Sequence, residues 1–225
     1  MQIRCYTDEN LTPALRAATA RYRHEVFVEQ MGWELPCEPG YEQDEFDTAG
    51  ATHVLAFNED DGRIVGYGRL LPTTQTYLLE KHFASLVNGT PPRTAGVWEL
   101  SRYTASDPHG GKTQDAEVGK RVLLAAMRFA AARGAHSLVC CTTVAIERLS
   151  NRWGVQMQRL GPPQRIDGFL LIAGQIAFTQ EACEALGAAP VRPTLAPEPE
   201  RAAWRFTGWP VRTGSTARHR TLMPA

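Results

Sequence analysis

Residues 97–103 read VWELSRY, a run with the composition of a buried strand that nevertheless carries Glu99 and Arg102. An unpaired charge inside an apolar strand is costly, so each must find a partner or border a cavity. In a regularly pleated strand Glu99 and Ser101 share one face and Arg102 lies on the other, unless a bulge intervenes. Because both faces receive a polar group, the stretch indicates a strand that borders a functional site.

The segments around this strand alternate between strand and helix patterns. We predict strands at 52–58, 63–71, 137–144 and 168–178, and helices at 11–31, 77–87, 115–134 and 145–154. The first two strands flank the turn sequence EDDG and form a hairpin, whereas the later ones alternate with helices. This order predicts an α/β (α+β) fold with a mixed, mostly antiparallel central sheet flanked by helices.

Composition divides the chain into one domain, residues 1–188, and a tail rich in Pro and Ala, residues 189–225, in which 204–214 could form a short packed segment. Within the domain, residues 33–50 are rich in Pro, Gly and acids, including Glu42 and Glu45. We predict a long ordered loop there, because it also carries three aromatic residues and long loops in compact domains are usually functional.

Charge and cysteine content exclude several classes of protein. Among 225 residues, 24 Lys and Arg balance 24 Asp and Glu, so nucleic acid is not expected as the main partner. The N-terminus lacks the apolar core of a signal peptide, and no run approaches about 18 apolar residues, so we expect a cytoplasmic protein without membrane insertion. The five cysteines form no CxxC pair, and we predict reduced thiols and no metal site.

The polar residues resemble one enzyme family. Arg23 with Phe27, Trp33, DEFD (44–47), GRLLPT (68–73), Phe83 and WELSR (98–102) occur in the order and with the spacing of the LuxI-type acyl-homoserine-lactone synthases, the autoinducer synthases of bacterial quorum sensing. The later segment CTTVAIERLSNRWG (141–154) is also similar to that family. The resemblance implies a fold similar to that of the Gcn5-related N-acetyltransferases.

The resemblance also implies a reaction between two substrates. An acyl-acyl carrier protein gives the acyl group, and S-adenosylmethionine gives the homoserine part, so that S-adenosylmethionine is a substrate and no cofactor is expected. Its amine attacks the thioester, and its carboxylate then attacks its own γ-carbon, which closes the lactone and releases 5′-methylthioadenosine. Acyl-CoA is not excluded as the donor.

This chemistry assigns expected roles to residues of the strand at 97–103. The amine must lose a proton before it attacks, and Glu99 is the candidate base. Backbone N–H groups near Ser101–Tyr103 could stabilise the oxyanion, and Arg23 or Arg102 could bind the substrate carboxylate. We therefore predict Glu99, Ser101 and Arg102 as catalytic residues.

The remaining family residues predict the S-adenosylmethionine site. Aromatic side chains would face the adenine and the sulfonium, and the loop acids would pair with Arg69, Arg23 or Arg102 and lock the loop over the site. The predicted set is Arg23, Phe27, Trp33, Asp44, Asp47, Arg69, Phe83 and Tyr103.

Two further sets follow from the expected donor. An apolar acyl tunnel is predicted between the late strands and the helix at 115–134, although each of its residues also suits an ordinary core: Leu100, Leu123, Met127, Val139, Cys141, Thr142, Thr143 and Leu171. Acyl carrier proteins are acidic, so their docking surface should be basic. Lys120, Arg121, Arg148 and Arg152 are the candidates.

Two alternatives stay open. A CoA-dependent N-acyltransferase of the same fold would bind the CoA pyrophosphate at a helix N-terminus, but TASDPHGGKTQDAEVG (104–119) lacks the Arg/Gln-x-x-Gly-x-Gly/Ala pattern of that family. A non-catalytic module that binds acyl carrier protein could retain the fold without the chemistry. Incubation with both substrates separates the three functions.

Overall fold

The computed structural model describes residues 1–110 and 115–187. Its strands are β1 (Gln2–Thr7), β2 (Thr52–Phe57), β3 (Ile64–Pro72), β4 (Val97–Thr104), β5 (Ser137–Thr143), β6 (Gln158–Arg159), β7 (Gln164–Ile166) and β8 (Phe169–Ala177). Its helices are α1 (Pro13–Arg23), which continues as a π-helix (His24–Gln30), α2 (Leu78–His82), which is followed by a 3₁₀ turn (Ala84–Leu86), α3 (Ala116–Ala131), α4 (Val144–Arg152) and α5 (Gln180–Ala185). No helix in these residues is long and apolar enough to cross a bilayer.

The strands form one sheet in the order β1-β2-β3-β4-β5-β8-β6, with β7 paired to β8. Every pair is antiparallel except β4 with β5. The predicted mixed, mostly antiparallel α/β fold is therefore confirmed. The predicted tail at 189–225 lies outside the described residues.

Apolar residues cover both faces of the sheet. The α3 face carries a core that includes Trp98, Leu100, Leu123, Met127 and Leu138. The opposite face, called the α2 face below, carries a second core that includes Tyr77, Leu79, Val97, Val139 and Ala173. This alternation along β4 and β5 follows the two-residue period of a strand.

Two irregularities in β4 set it apart from the other strands. Arg69 of β3 lies opposite Ser101 and Tyr67 lies opposite Thr104, so β4 holds one residue more than β3 between these pairs. This is a β-bulge, and within it Arg102 has φ +53°, a conformation that non-glycine residues rarely adopt. Such strained positions cluster at functional sites.

The second irregularity is a split between β4 and β5. The two parallel strands pair only where Val97–Glu99 meets Ser137–Val139, although they continue to Thr104 and Thr143. Beyond Glu99 the strands are no longer paired with each other, so the sheet opens into a wedge. Glu99 lies at the apex of that wedge.

Candidate active site

Six charged side chains meet on the α2 face between α1, the 33–50 loop and strands β3 and β4. They form what we call the charge cluster: Arg23, Arg69, Arg102, Glu42, Asp44 and Asp47. Three guanidinium groups balance three carboxylates. The sequence left the Asp–Arg pairings open, and the geometry now defines them.

Arg69 is the centre of the charge cluster. Its Nη2 donates to Asp44 Oδ2 at 2.9 Å, its Nη1 donates to Asp47 Oδ1 at 3.0 Å, and its Nε donates to Ser101 Oγ at 3.1 Å. Arg23 donates from Nη1 to Asp47 Oδ1 at 2.7 Å. Asp47 thus bridges a helix and a strand, and it fixes the loop to both.

The members of these ion pairs are almost completely buried, so each charge needs a partner of opposite sign. Arg23 and Arg69 are 1% and 0% exposed, and Asp47 is 5% exposed. Burial by itself raises the pKa of Asp47, but the charges of Arg23 and Arg69 outweigh it and hold that pKa below its usual range. Asp44 also has a lowered pKa, because the hydrogen bond and charge of Arg69 outweigh its burial. Asp44 and Asp47 are therefore ionised at neutral pH.

The bulge turns Arg102 toward the acidic loop. Its Nη2 lies 3.0 Å from Glu42 Oε1 and 3.0 Å from Asp44 Oδ2. Its guanidinium also lies 5.8 Å from the ring of Trp33 and 5.9 Å from that of Phe27. Of the two contacts expected for Arg102, with the acidic loop or with the substrate carboxylate, the structure shows the first. The bulge is the exception allowed for in the regular pleat, and it brings Arg102 to the same face of the sheet as Ser101.

Two aromatic residues extend the site from Arg102. Phe27 and Trp33 stack with ring centroids 4.9 Å apart and an angle of 22° between the rings. Phe27 is buried and Trp33 is half-buried. Phe27 lies in the π-helix and Trp33 lies just after it. The π-helix ends at Gln30 and the chain turns back at Gly32, whose φ is +67°, so the ring of Trp33 returns to the ring of Phe27.

Glu99 is fully buried beside this cluster. Its two carboxylate oxygens accept the backbone N–H groups of Leu79 at 2.6 Å and of Leu78 at 2.9 Å. Burial raises the pKa of Glu99 to about 7, and the two backbone hydrogen bonds oppose that rise. A carboxyl group with a pKa near neutrality is suited to accept and return a proton.

The predicted S-adenosylmethionine residues do not all lie together. Six of them form or adjoin the charge cluster, and Phe83 packs on the α2 face just after α2. Tyr103 is the exception. The bulge directs it to the α3 face, where its hydroxyl approaches Gly119 of α3 so closely that a Cβ there would be 2.9 Å away. The side chain of Tyr103 therefore lies apart from the other seven predicted residues, on the opposite face of the sheet.

The predicted acyl-tunnel residues are also divided. Leu100, Leu123 and Met127 belong to the α3 face, whereas Val139, Cys141 and Leu171 pack on the α2 face. Alternation along β5 places Thr142 toward the α3 face. Thr143 caps α4, because its Oγ1 accepts the N–H of Ile146. The sheet separates the two sets except at the wedge between β4 and β5.

The four predicted docking cations lie on two helices. Lys120 and Arg121 are in α3, and Arg148 and Arg152 are exposed on α4. The helices meet where Trp153, directly after α4, packs against Gly119 of α3. Arg121 also donates to the carbonyl oxygen of Met1 at 3.3 Å.

Sequence reasoning missed three partners of the cluster. Glu42 is 1% exposed, yet in the sequence it is one acid among several and nothing distinguishes it from the exposed Glu45. Tyr67 and His53 lie under Arg23: the Tyr67 hydroxyl is 2.7 Å from His53 Nδ1 and accepts a long 3.5 Å hydrogen bond from Arg23. Burial lowers the pKa of His53 to about 4, so this layer is uncharged at neutral pH.

Comparison with known proteins decides the family. The family model described as autoinducer synthase matches residues 13–186. The chain belongs to the autoinducer synthase family. An acyl-homoserine-lactone synthase of Pseudomonas aeruginosa is 40% identical over 176 residues, which cover 77% of this chain and 84% of that one. The protein is accordingly an acyltransferase, an acyl-homoserine-lactone synthase.

Solved structures agree with this assignment of the synthase. TofI, in a ternary complex with an inhibitor and MTA, is 37% identical with a TM-score of 0.74, covering 84% of this chain and 98% of its own. MesI, described as a CoA-dependent acyl-homoserine lactone synthase, is 29% identical with a TM-score of 0.72, covering 82% and 93%. A putative N-acetyltransferase from Lactobacillus plantarum, 19% identical with a TM-score of 0.55 and covering 79% and 98%, shares the fold.

Proposed function

We propose that this synthase joins S-adenosylmethionine to an acyl group delivered by acyl carrier protein and then closes the lactone, releasing 5′-methylthioadenosine. No additional cofactor is proposed, and the cytoplasm, where both substrates are made, is the proposed location. One observation carries the proposal: Glu99, the charge cluster and the Phe27–Trp33 pair converge where β4 and β5 separate.

The S-adenosylmethionine end of the site is supported by the aromatic pair. Its sulfonium and adenine suit the half-buried face of Trp33, and its carboxylate suits Arg102, which at 9% exposure is the most accessible guanidinium of the cluster. Arg23 is too deeply buried for this role, so its proposed task is to hold the loop. The complex of TofI with MTA adds support, because MTA is the product expected from this substrate.

Glu99 is the proposed base. It takes a proton from the substrate ammonium, and the freed amine attacks the thioester carbon. The C–N bond forms, the C–S bond breaks, and the thiol leaves with a proton. The substrate carboxylate then attacks the γ-carbon, and the second C–S bond breaks as 5′-methylthioadenosine leaves. Each carboxylate oxygen of Glu99 keeps a lone pair beyond the one that accepts a backbone hydrogen bond from α2. Glu99 can therefore hold α2 and accept a proton from the substrate at the same time.

The wedge offers a path for the acyl chain. A chain whose carbonyl lies beside Glu99 can pass between β4 and β5 to the α3 face, where Leu100, Leu123, Met127 and Thr142 lie. This proposal keeps those four residues of the predicted tunnel and omits the four that lie on the α2 face or cap α4.

The N-terminus of α3 favours a carrier protein over CoA. Asp115 caps this helix by accepting the N–H groups of Glu117 at 2.9 Å and Val118 at 3.3 Å. In acetyltransferases of this fold the corresponding helix end binds the CoA pyrophosphate, and here two carboxylates would repel it. Because MesI is described as CoA-dependent, both donors belong in the test.

The test is a reconstitution with purified protein. S-adenosylmethionine is incubated with acyl-acyl carrier protein or with acyl-CoA of the same acyl group, and free thiol, 5′-methylthioadenosine and lactone are measured. We expect equal amounts of all three, with acyl carrier protein as the better donor. Thiol without 5′-methylthioadenosine would indicate a simple N-acyltransferase, and binding without turnover would indicate a non-catalytic module.

A further inference from the structure

The hydroxyl of Tyr103 is a buried donor without a partner. Its oxygen is closed off from solvent and forms no hydrogen bond within the part of the chain that the structure describes. The hydroxyl of Tyr22, by contrast, donates to the carbonyl oxygen of Ser106 at 2.7 Å. A buried hydroxyl is usually hydrogen-bonded, and leaving it unpaired costs free energy. A ligand that accepts a hydrogen bond from Tyr103 would remove that cost.

Tyr103 lies where the proposed acyl path crosses the sheet. Beyond Glu99, where β4 no longer pairs with β5, the side chains of β4 that pack on the α3 face are Leu100 and Tyr103. Both border the same space over Gly68 of β3, because a Cβ there would lie 3.1 Å from Leu100 Cδ1 and 3.8 Å from Tyr103 Cδ2. An acyl chain that reaches the α3 face through the wedge is therefore bordered on its β4 side by these two residues.

The hydroxyl end of Tyr103 reaches α3. A Cβ on Gly119 would lie 2.9 Å from the Tyr103 hydroxyl oxygen and 3.0 Å from Cη2 of Trp153, which follows α4. Gly119, Leu123 and Met127 follow one another at intervals of four residues, so they form one row along α3. Leu123 and Met127 belong to the proposed acyl path. The apolar row of that path therefore ends at a hydrogen-bond donor.

Burial also fixes the state of this donor. It raises the pKa of Tyr103 well above its usual range, so the hydroxyl stays protonated at neutral pH and is able to donate. A hydrogen bond formed in such a water-excluded place is stronger than one formed at the surface. An acyl chain reaches the hydroxyl by displacing part of its cover, such as the half-buried ring of Trp153.

We propose that the hydroxyl of Tyr103 selects acyl groups with a 3-oxo or 3-hydroxy substituent by donating a hydrogen bond to that oxygen. The inference rests on the proposed function, because that function places the acyl chain on the α3 face. Tyr103 borders the path where it leaves Glu99, so an oxygen close to the thioester, at C3, is the expected partner. An unsubstituted chain would leave the donor unpaired, and sites built to bond one substrate oxygen discriminate against analogues that lack it.

The experiment measures kcat/KM for three acyl donors of equal chain length on the same carrier: unsubstituted, 3-oxo and 3-hydroxy. The wild type should prefer an oxygenated donor over the unsubstituted one by about tenfold, the contribution of one hydrogen bond. Tyr103→Phe removes only the hydroxyl and should lower this ratio about tenfold. Tyr22→Phe is the matched control: it removes a buried hydroxyl that already has a partner, and it should leave the ratio unchanged.

A measurement of Tm separates selection from a structural role. Tyr103→Phe should not lower Tm, because no hydrogen bond within the described residues is lost, whereas Tyr22→Phe should lower it. An equal fall in Tm for both variants would mean that the Tyr103 hydroxyl is already paired in the folded protein, which overturns the proposal.

Three kinetic outcomes would also overturn it. A wild type without preference for either oxygenated donor would exclude selection, and an unchanged ratio in Tyr103→Phe would assign the hydroxyl to another partner, such as solvent. An equal loss with all three donors would give Tyr103 a general role in folding or catalysis. Failure of the proposed function is distinguishable, because the wild type would then make no lactone from any of the three donors.

Discussion

The carboxylate of Glu99 accepts the backbone N–H of Leu79 at 2.6 Å, which joins the centre of the sheet to the first turn of α2. The N-cap residue of that helix, Tyr77, provides no side-chain hydrogen bond, so Glu99 supplies the cap from β4. The residue proposed as the base therefore also positions the short helix that leads to Phe83. Proton uptake by Glu99 would weaken its acceptor capacity, so chemistry and helix position are coupled at this residue.

Replacement of Glu99 by Gln should lower kcat by roughly 10²–10⁴-fold, because the amide cannot accept the proton of the substrate ammonium. One backbone hydrogen bond to α2 can still form, so the protein should fold. Single-turnover measurement of amide formation tests the prediction. Glu45→Gln is the matched control, since Glu45 contacts Lys81 and His82 of the same helix from its exposed side. Wild-type kcat in Glu99→Gln would remove Glu99 as the base.

The raised pKa of Glu99 predicts a specific pH dependence. Glu99 can act as a base only when its carboxyl group is ionised, so kcat/KM for S-adenosylmethionine should rise as the pH rises through about 7. The Glu99→Gln variant should not show this rise. Stability should change in the opposite direction. The folded protein binds this proton more tightly than the unfolded chain, whose pKa is near 4.5, so this group lowers the free energy of unfolding as pH rises from about 4.5 to 7. Parallel Tm measurements of the wild type and Glu99→Gln across that range test the sign.

Loss of one carboxylate from the charge cluster should be strongly destabilising. Asp47→Asn leaves Arg23 and Arg69 with an uncompensated buried charge, which should cost about 3–5 kcal/mol in the free energy of unfolding. Asp61→Asn is the control, because Asp61 pairs with Arg63 at the surface and should cost less than about 1 kcal/mol. Urea unfolding measures both. Equal values would mean that the buried cluster contributes no more than a surface pair.

The sequence predicted the main elements because their periodicity was strong. The hairpin β2–β3, strands β4, β5 and β8, and helices α3 and α4 all lie close to the predicted ranges. It missed β1, whose residues QIRCYT form a half-exposed edge strand in which the alternation of Ile3 and Cys5 with polar neighbours is too short to stand out. It also missed the two shortest strands and α5, because elements of two to six residues carry little periodic signal.

The membership of the site was predictable, but its geometry was not. The two charged residues of VWELSRY, Glu99 and Arg102, indicated a functional site. Resemblance to the family supplied most of the other residues of that site. One inserted residue in β4 then directed Tyr103 away and brought Arg102 in, and no feature of the sequence marks where a bulge occurs. The residues predicted for the acyl tunnel are divided for a related reason: residues of the late elements alternate between the two faces of the sheet, and their composition does not show which face each one occupies.

Trp33 should contribute to affinity for S-adenosylmethionine. Trp33→Ala removes the outer ring of the stacked pair and should raise KM for this substrate about tenfold, whereas Trp33→Phe preserves stacking on Phe27 and should stay within about threefold of wild type. The measurement is initial rate at saturating acyl donor. An unchanged KM in Trp33→Ala would place the adenosyl group elsewhere.

The two faces of the sheet should differ in their effect on acyl-chain choice. Met127→Ala leaves more space in the core on the α3 face, where the acyl chain is proposed to lie. This variant should shift the product mixture toward longer or bulkier acyl groups. Leu171→Ala removes a comparable side chain from the α2 face and should leave the mixture unchanged. Both variants lose stability, by about 2–5 kcal/mol where the site is fully buried. The product ratio from a mixture of acyl donors is independent of the fraction folded, so mass spectrometry of the lactones separates specificity from stability. A shift in Leu171→Ala alone would place the chain on the α2 face.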